Sequence, residues 1–209
     1  MPTSASAGNR VRAHPTAVFY GDSLVTGWRG TTRPEARWSD LVCERLGWRE
    51  VPLAVDGMGY LRRRGPRDAQ GQRPPSTTDT TLLDAAIRLA PDVVVVCLGI
   101  NDVVLVDERP DDVHAGIRRD LSRLPGELPG VPVVVTMYAP SEELSAAASL
   151  VEGWVVDECV RSGLRYVQRF GRAVGGDPDL LCDDGFHPND AGHAALAEAI
   201  LPTLRELGI

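Results

Sequence analysis

The sequence predicts an α/β fold, a three-layer α/β/α sandwich built on a five-stranded parallel sheet. Three observations carry this. Apolar runs of strand length alternate with amphipathic stretches of helix length from Ala17 onward, the pattern of βαβ units joined by right-handed crossovers. Val93 to Leu98 is an unbroken apolar run led by valines, as expected of a central parallel strand covered on both faces. Three of the strands end in polar or glycine-rich turns, which a parallel sheet brings to one edge, where ligands bind in open α/β sheets.

The elements follow in order. Met1 to Thr16 is small and polar and reads as a flexible tail; 17–209 reads as one domain with no repeat, low-complexity tract or linker. Ala17 to Tyr20 is a buried first strand, closed by Gly21-Asp22-Ser23. Leu24 to Trp38 reads as irregular, and Ser39 is placed to cap a helix that ends at Gly47. Val51 to Val55 is a second strand, ending in Asp56-Gly57-Met58-Gly59. Tyr60 to Thr78 is the least regular region and holds Arg62, Arg63, Arg64, Arg67 and Arg73. It reads either as a solvated loop or as an electropositive lid for an acidic substrate. A helix over Thr80 to Ala90 leads to the third strand at Val93, which ends in Gly99-Ile100-Asn101-Asp102. Helix from Pro110 to Leu124, strand from Val131 to Thr136, a long helix opening at Ser141 and a short strand from Leu164 to Val167 follow. Asn189 or Asp190 caps the last helix, just after Asp184-x-x-His187.

Composition excludes several classes. A net charge of −7 argues against nucleic acid as a partner. All 22 basic residues are arginine, which removes lysine Schiff-base and P-loop lysine chemistry. No apolar run approaches the ~20 residues of a membrane helix. No segment reads as a secretory signal, so the expected location is cytoplasmic. Cys43, Cys97, Cys159 and Cys182 show no C-x-x-C spacing and are expected as free thiols, and no cluster has metal-ligand spacing. Neither metal nor cofactor is expected.

What remains suits acyl transfer. A serine hydroxyl becomes a nucleophile when a base takes its proton. An imidazole can act as such a base near neutral pH, which makes His187 the candidate, and Asp184, three residues earlier, can orient its ring. If the first strand lies between the second and third, the turns at Ser23, Gly57 and Asn101 adjoin. They then offer the Ser23 N–H, a glycine N–H and the Asn101 amide to a developing oxyanion. Asp22 and Asp102 are placed to brace their turns by accepting backbone N–H bonds. Trp28, Tyr60 and Arg62, in the loops beside these turns, are the expected substrate contacts. His193, His114 and His14 have no such partners, and His193 reads as structural.

Gly21-Asp22-Ser23-Leu24, a glycine after the second strand, Gly99-x-Asn101-Asp102 and Asp184-x-x-His187 together resemble the four blocks of the GDSL/SGNH hydrolases, over nearly the whole chain. The resemblance implies a serine esterase or lipase with Ser23 as nucleophile and first oxyanion donor, Asn101 as side-chain donor, and His187 as base supported by Asp184. The second block departs from the pattern: the family often has Asn-x-x-x-x-Gly, and this chain has Pro52 through Gly57. Spacing selects Gly57 as donor, with Gly59 as competitor. The expected activity is hydrolysis of a small or medium carboxylic ester through an acyl-enzyme, on substrates that include acylated sugars and natural products. The alternatives are an acyl-thioesterase or acyltransferase using the same triad, and a catalytically silent carbohydrate- or acyl-binding module. The first turn has no G-x-G-x-x-G or P-loop pattern, which counts against a nucleotide binder.

Overall fold

The computed structural model describes residues 14–141 and 143–209. Five strands, β1 (Thr16–Gly21), β2 (Arg49–Ala54), β3 (Val93–Cys97), β4 (Val133–Thr136) and β5 (Arg165–Tyr166), form one sheet in the order β2-β1-β3-β4-β5. All four pairings are parallel. The doubly wound order puts β1 between β2 and β3, with Gly21 level with Ala54 on one side and Cys97 on the other. The three turns therefore begin side by side.

Alternation along the strands builds two cores. Val18, Tyr20, Val94 and Val96 face a layer made by α3 (Thr81–Arg88), α4 (Pro110–Glu127) and α5 (Ala146–Ser162). Ala17, Phe19, Val93, Val95 and Cys97 face a layer made by α2 (Trp38–Leu46), α6 (Gln168–Gly171) and α7 (Asp190–Arg205). Every residue of β3 is buried, which is why its sequence is a continuous valine run rather than an alternation. Each such valine contributes roughly 1.5–3 kcal/mol relative to leaving it exposed. Trp38 anchors the second core, edge-on to both Phe19 and Phe170 at 5.2 and 4.8 Å.

The structure corrects several expectations. Ser23 opens a helical turn, α1 (Ser23–Thr26), where irregular chain was expected, because the Asp22 carboxylate accepts from the Leu24 N–H. Ser39 lies inside α2 and is buried, so it is not a cap. The long helix starts at Ala146, not Ser141: Ser145 is its N-cap, with Oγ accepting from Ala148 N at 3.2 Å. Thr16 belongs to β1 rather than to a tail; the rest of the tail expectation, up to residue 13, lies outside the described residues. All four cysteines are free, and only Cys182 is not fully buried. Among the described residues no helix is long and apolar enough to cross a membrane.

Candidate active site

The site is assembled at the carboxyl edge of the sheet from β1, β3, the turn after β2 and the loop before α7. Ser23 stands at the N-terminus of α1, just past the last residue of β1, and is only 4% exposed. The loop before α7 is fixed from several sides. Its backbone closes on itself through Cys182 N donating to His187 O and a bridge between Leu181 and Pro188. The Tyr138 hydroxyl donates to Phe186 O at 2.7 Å, and Asn189 caps α7 by accepting from Gly192 N. Thr32, beyond α1, donates to Asp190 through both backbone N–H and hydroxyl, tying the serine's loop to that helix.

These constraints bring Ser23, His187 and Asp184 into one hydrogen-bonded row. His187 Nε2 lies 3.2 Å from Ser23 Oγ, and Nδ1 lies 2.7 Å from Asp184 Oδ2. Asp184 Oδ1 accepts the backbone N–H groups of Phe186 and His187. What little burial Asp184 has would raise its pKa, but the His187 backbone and ring bonds, then the Phe186 N–H, outweigh it and hold the carboxyl at about 2. An ionised carboxylate fixes the Nδ1–H tautomer, so Nε2 is left to accept the serine proton. Trp28 and Phe186 both pack edge-on to the imidazole, each with its ring centroid 5.0 Å away.

The three turns converge as the strand order requires. Gly57 sits at φ +72°, a conformation that disfavours any side chain. Asn101 Nδ2 donates to Asp22 Oδ2 at 2.8 Å and to Met58 O at 3.1 Å, and its Oδ1 accepts from Arg62 Nη1. Asp22 is 1% exposed, and burial pushes its carboxyl up to about 7 against its hydrogen bonds from Leu24 N and Asn101. Asp102 braces the next turn by accepting three backbone N–H groups, from Tyr60, Leu61 and Arg62, at 2.6, 3.0 and 2.9 Å. Gly59 packs so closely on that carboxylate that a Cβ would stand 2.3 Å from its oxygens, and the Gly59 N–H is already donated to Arg62 O. Gly59 therefore has no donor to offer, and Gly57 faces the site alone of the two.

A cavity of about 210 Å³ opens over this row, lined by Ser23, Trp28, Asp56, Gly57, Arg62, Arg63, Asn101, Phe186 and His187. It is below the ~300–1,000 Å³ of clefts that hold drug-sized ligands. Trp28 and Arg62 thus lie where the sequence put them. Tyr60 does not: it is fully buried in the first core, because Asp102 draws the backbone of residues 60–62 inward. The arginine-rich loop is neither wholly solvated nor wholly a lid. Arg64 is buried in an ion pair with Asp120 and also meets the Tyr20 hydroxyl, whereas Arg67 and Arg73 donate to carbonyls of their own loop. Arg63, one of the arginines of the expected lid, lines the cavity beside Arg62, whereas Phe186 and Asp56 were not foreseen there. Phe186 and Asp56 each adjoin a residue the sequence had singled out, His187 and Gly57. His193 is structural: its Nδ1 accepts from Trp38 N, and burial lowers its pKa to about 4. Among the described residues no cluster of three or more His, Cys, Asp or Glu could hold a metal ion.

A family model described as the GDSL-like lipase/acylhydrolase family matches residues 19–195. Among solved structures, TesA is similar with a TM-score of 0.72 and 22% identity, over 92% of this chain and 99% of that one. A family two carbohydrate esterase from Clostridium thermocellum, in complex with cellohexaose, gives a TM-score of 0.70 and 19% identity, over 93% of this chain and 65% of that one. The salicylyl-acyltransferase SsfX3 from a tetracycline biosynthetic pathway gives 0.66 and 21%, over 95% and 56%. These likenesses show a shared fold. A comparison with curated proteins by sequence finds no match.

Proposed function

The chain belongs to the GDSL-like lipase/acylhydrolase family, and from that premise we propose that it hydrolyses a small carboxylic ester through an acyl-enzyme on Ser23. The observation that carries this reading is the unbroken row from Asp184 through His187 to Ser23, at 2.7 and 3.2 Å. Ser23 Oγ attacks the carbonyl carbon while its proton passes to His187 Nε2. The imidazolium so formed is stabilised by the Asp184 carboxylate, which stays ionised throughout the neutral range. The carbonyl oxygen becomes an oxyanion received by the backbone N–H groups of Ser23 and Gly57 and by Asn101 Nδ2. Asn101 gives up its longer bond, the 3.1 Å contact to Met58 O, and keeps the one to Asp22. Collapse of the intermediate breaks the ester C–O bond, and the leaving alcohol takes the proton from His187. Water then repeats the sequence to free the acid. An alcohol in place of water would make the same intermediate an acyl donor.

The test is intact-mass analysis after treatment with a fluorophosphonate, with Ser23→Ala alongside. A single adduct on Ser23, absent from the variant, together with loss of ester turnover, is the expected result. Full esterase activity in Ser23→Ala would overturn the reading.

A further inference from the structure

Two arginines share the cavity with Ser23, and no carboxylate among the described residues neutralises either of them. Arg62 Nη1 donates to Asn101 Oδ1 at 3.1 Å, and Arg63 Nη1 donates to Asp56 O at 2.9 Å. Both partners are neutral carbonyl oxygens. Among the described residues neither guanidinium is in an ion pair, although Arg64, next in sequence, is buried in one. The two guanidiniums also converge. Both Nη1 atoms lie within 4 Å of the point a Cβ on Gly57 would occupy, at 3.1 Å for Arg63 and 3.7 Å for Arg62.

This placement is built rather than incidental. Arg62 N is one of the three donors held by the buried Asp102 carboxylate. Arg64 is 3% exposed and locked to Asp120. The pair of arginines is thus strung between two fixed points of backbone, and Arg63 takes φ +53° to fit between them, a conformation that costs energy for a side chain with a Cβ. A surface loop that merely presented solvated arginines would need none of this. Among the described residues Asp56 is the one carboxylate lining the cavity, and its Oδ1 is occupied by the Thr26 hydroxyl at 2.5 Å. Two cations against one anion leave the lining positive in a chain of net charge −7. Guanidinium groups present paired donors that match carboxylate and phosphate oxygens.

We infer that Arg62 and Arg63 form an anion subsite, and that the physiological ester carries a carboxylate or phosphate group beside the scissile bond. The inference rests on the assignment of Ser23 as nucleophile. It narrows the substrate class to small anionic esters and sets Arg62 and Arg63 as specificity residues.

The experiment uses two serine-directed phosphonate probes of equal size, one neutral and one ending in a carboxylate, and reads the rate of Ser23 adduct formation by intact mass. The carboxylate probe is expected to label the native protein on the order of tenfold faster, the usual worth of a hydrogen bond to a charged group. Arg62→Gln and Arg63→Gln should each reduce that ratio several-fold. The ratio is insensitive to any loss common to both probes. Arg67→Gln, on the same loop but bonded to Gly71 O, should leave it as in the native protein. Equal labelling by the two probes, or a ratio that neither substitution moves, would overturn the subsite while leaving the nucleophile standing. No adduct with either probe would overturn the assignment of Ser23, and the subsite with it.

Discussion

Asp22 and Asn101, at the ends of adjacent strands, share a hydrogen bond of 2.8 Å from the Asn101 amide to the Asp22 carboxylate. The same carboxylate caps α1 through Leu24 N. One buried side chain therefore sets both the turn that carries Ser23 and the direction of the Asn101 amide. In Asp22→Asn the group facing Asn101 Nδ2 can become a second donor, and the Asn101 amide loses its fixed orientation. The expected result is a fall in kcat on the order of 10² with KM little changed, measured on any ester the native protein turns over. A rise in KM alone would show that Asn101 is held some other way.

Asp22 and His193 should pull stability in opposite directions with pH. Burial first, then repulsion from Asp102 and Asp56, raises the Asp22 carboxyl to about 7, so the native state keeps a proton that the unfolded chain releases near 3.8. Its contribution is greatest at low pH and is lost as pH rises through about 7. Burial lowers His193 to about 4, so the native state refuses a proton that the unfolded chain takes below 6.5. Its contribution is present above 6.5 and is lost as pH falls toward 4. In urea unfolding, Asp22→Asn should therefore gain on the native protein as pH rises between 4 and 7, whereas His193→Asn should gain as pH falls over nearly the same range. Parallel slopes would contradict both assignments.

The Arg64–Asp120 pair is fully buried and is shared with Tyr20 and Arg119. Arg64→Met takes one of two cations from the buried Asp120 and leaves it Arg119 and the Tyr20 hydroxyl, so it should cost about 1.5–3 kcal/mol, the worth of hydrogen bonds to a charged group. Arg64→Met combined with Asp120→Leu should cost clearly less than the two single changes added together. A double-mutant cycle by chemical unfolding reads this, and strict additivity would mean the pair carries no coupling.

Asp102 holds three backbone N–H groups from one short loop. Asp102→Ala leaves them buried and unpaired, at about 3 kcal/mol or more in stability. That corresponds to a fall in Tm of roughly 6–12 °C for a chain of this size. Gly59→Ala, which drives a methyl into the same carboxylate, should give a fall of the same sign. Calorimetry or circular dichroism on heating checks both.

The fold was legible because its signals are local. Strand-length apolar runs, glycine-ended strands and the valine run at 93–96 each speak for themselves, and the parallel alternation then leaves few topologies. Ser23, Asn101, Asp184 and His187 were legible as a set because each lies within a few residues of a strand end or helix cap. What escaped depends on long-range partners. Tyr60 sits in a polar, arginine-rich stretch and reads as exposed until Asp102, 42 positions on, pulls its backbone into the core. Arg64 reads as one more loop arginine until Asp120 is found beneath it. A signal was available there: Asp120 falls on the same stripe of α4 as Val113, Ile117, Leu121 and Leu124, all fully buried. A carboxylate in an apolar stripe demands a cation from elsewhere. The distinction between Arg62 and Arg63 at the cavity and Arg64 in the core could not come from composition, since all three are the same residue in a row.

The Ser23–His187 contact spans 164 residues of sequence. On a ribosome adding about 5–20 residues per second, Ser23 emerges some 8–30 s before His187. The first half of the chain can shape the serine's turn on β1, but the Ser23 hydroxyl meets the His187 ring only when α7 docks and carries the preceding loop into place. Under the function proposed above, reactivity toward acyl groups follows that docking, and its appearance would serve as a clock for closure of the site.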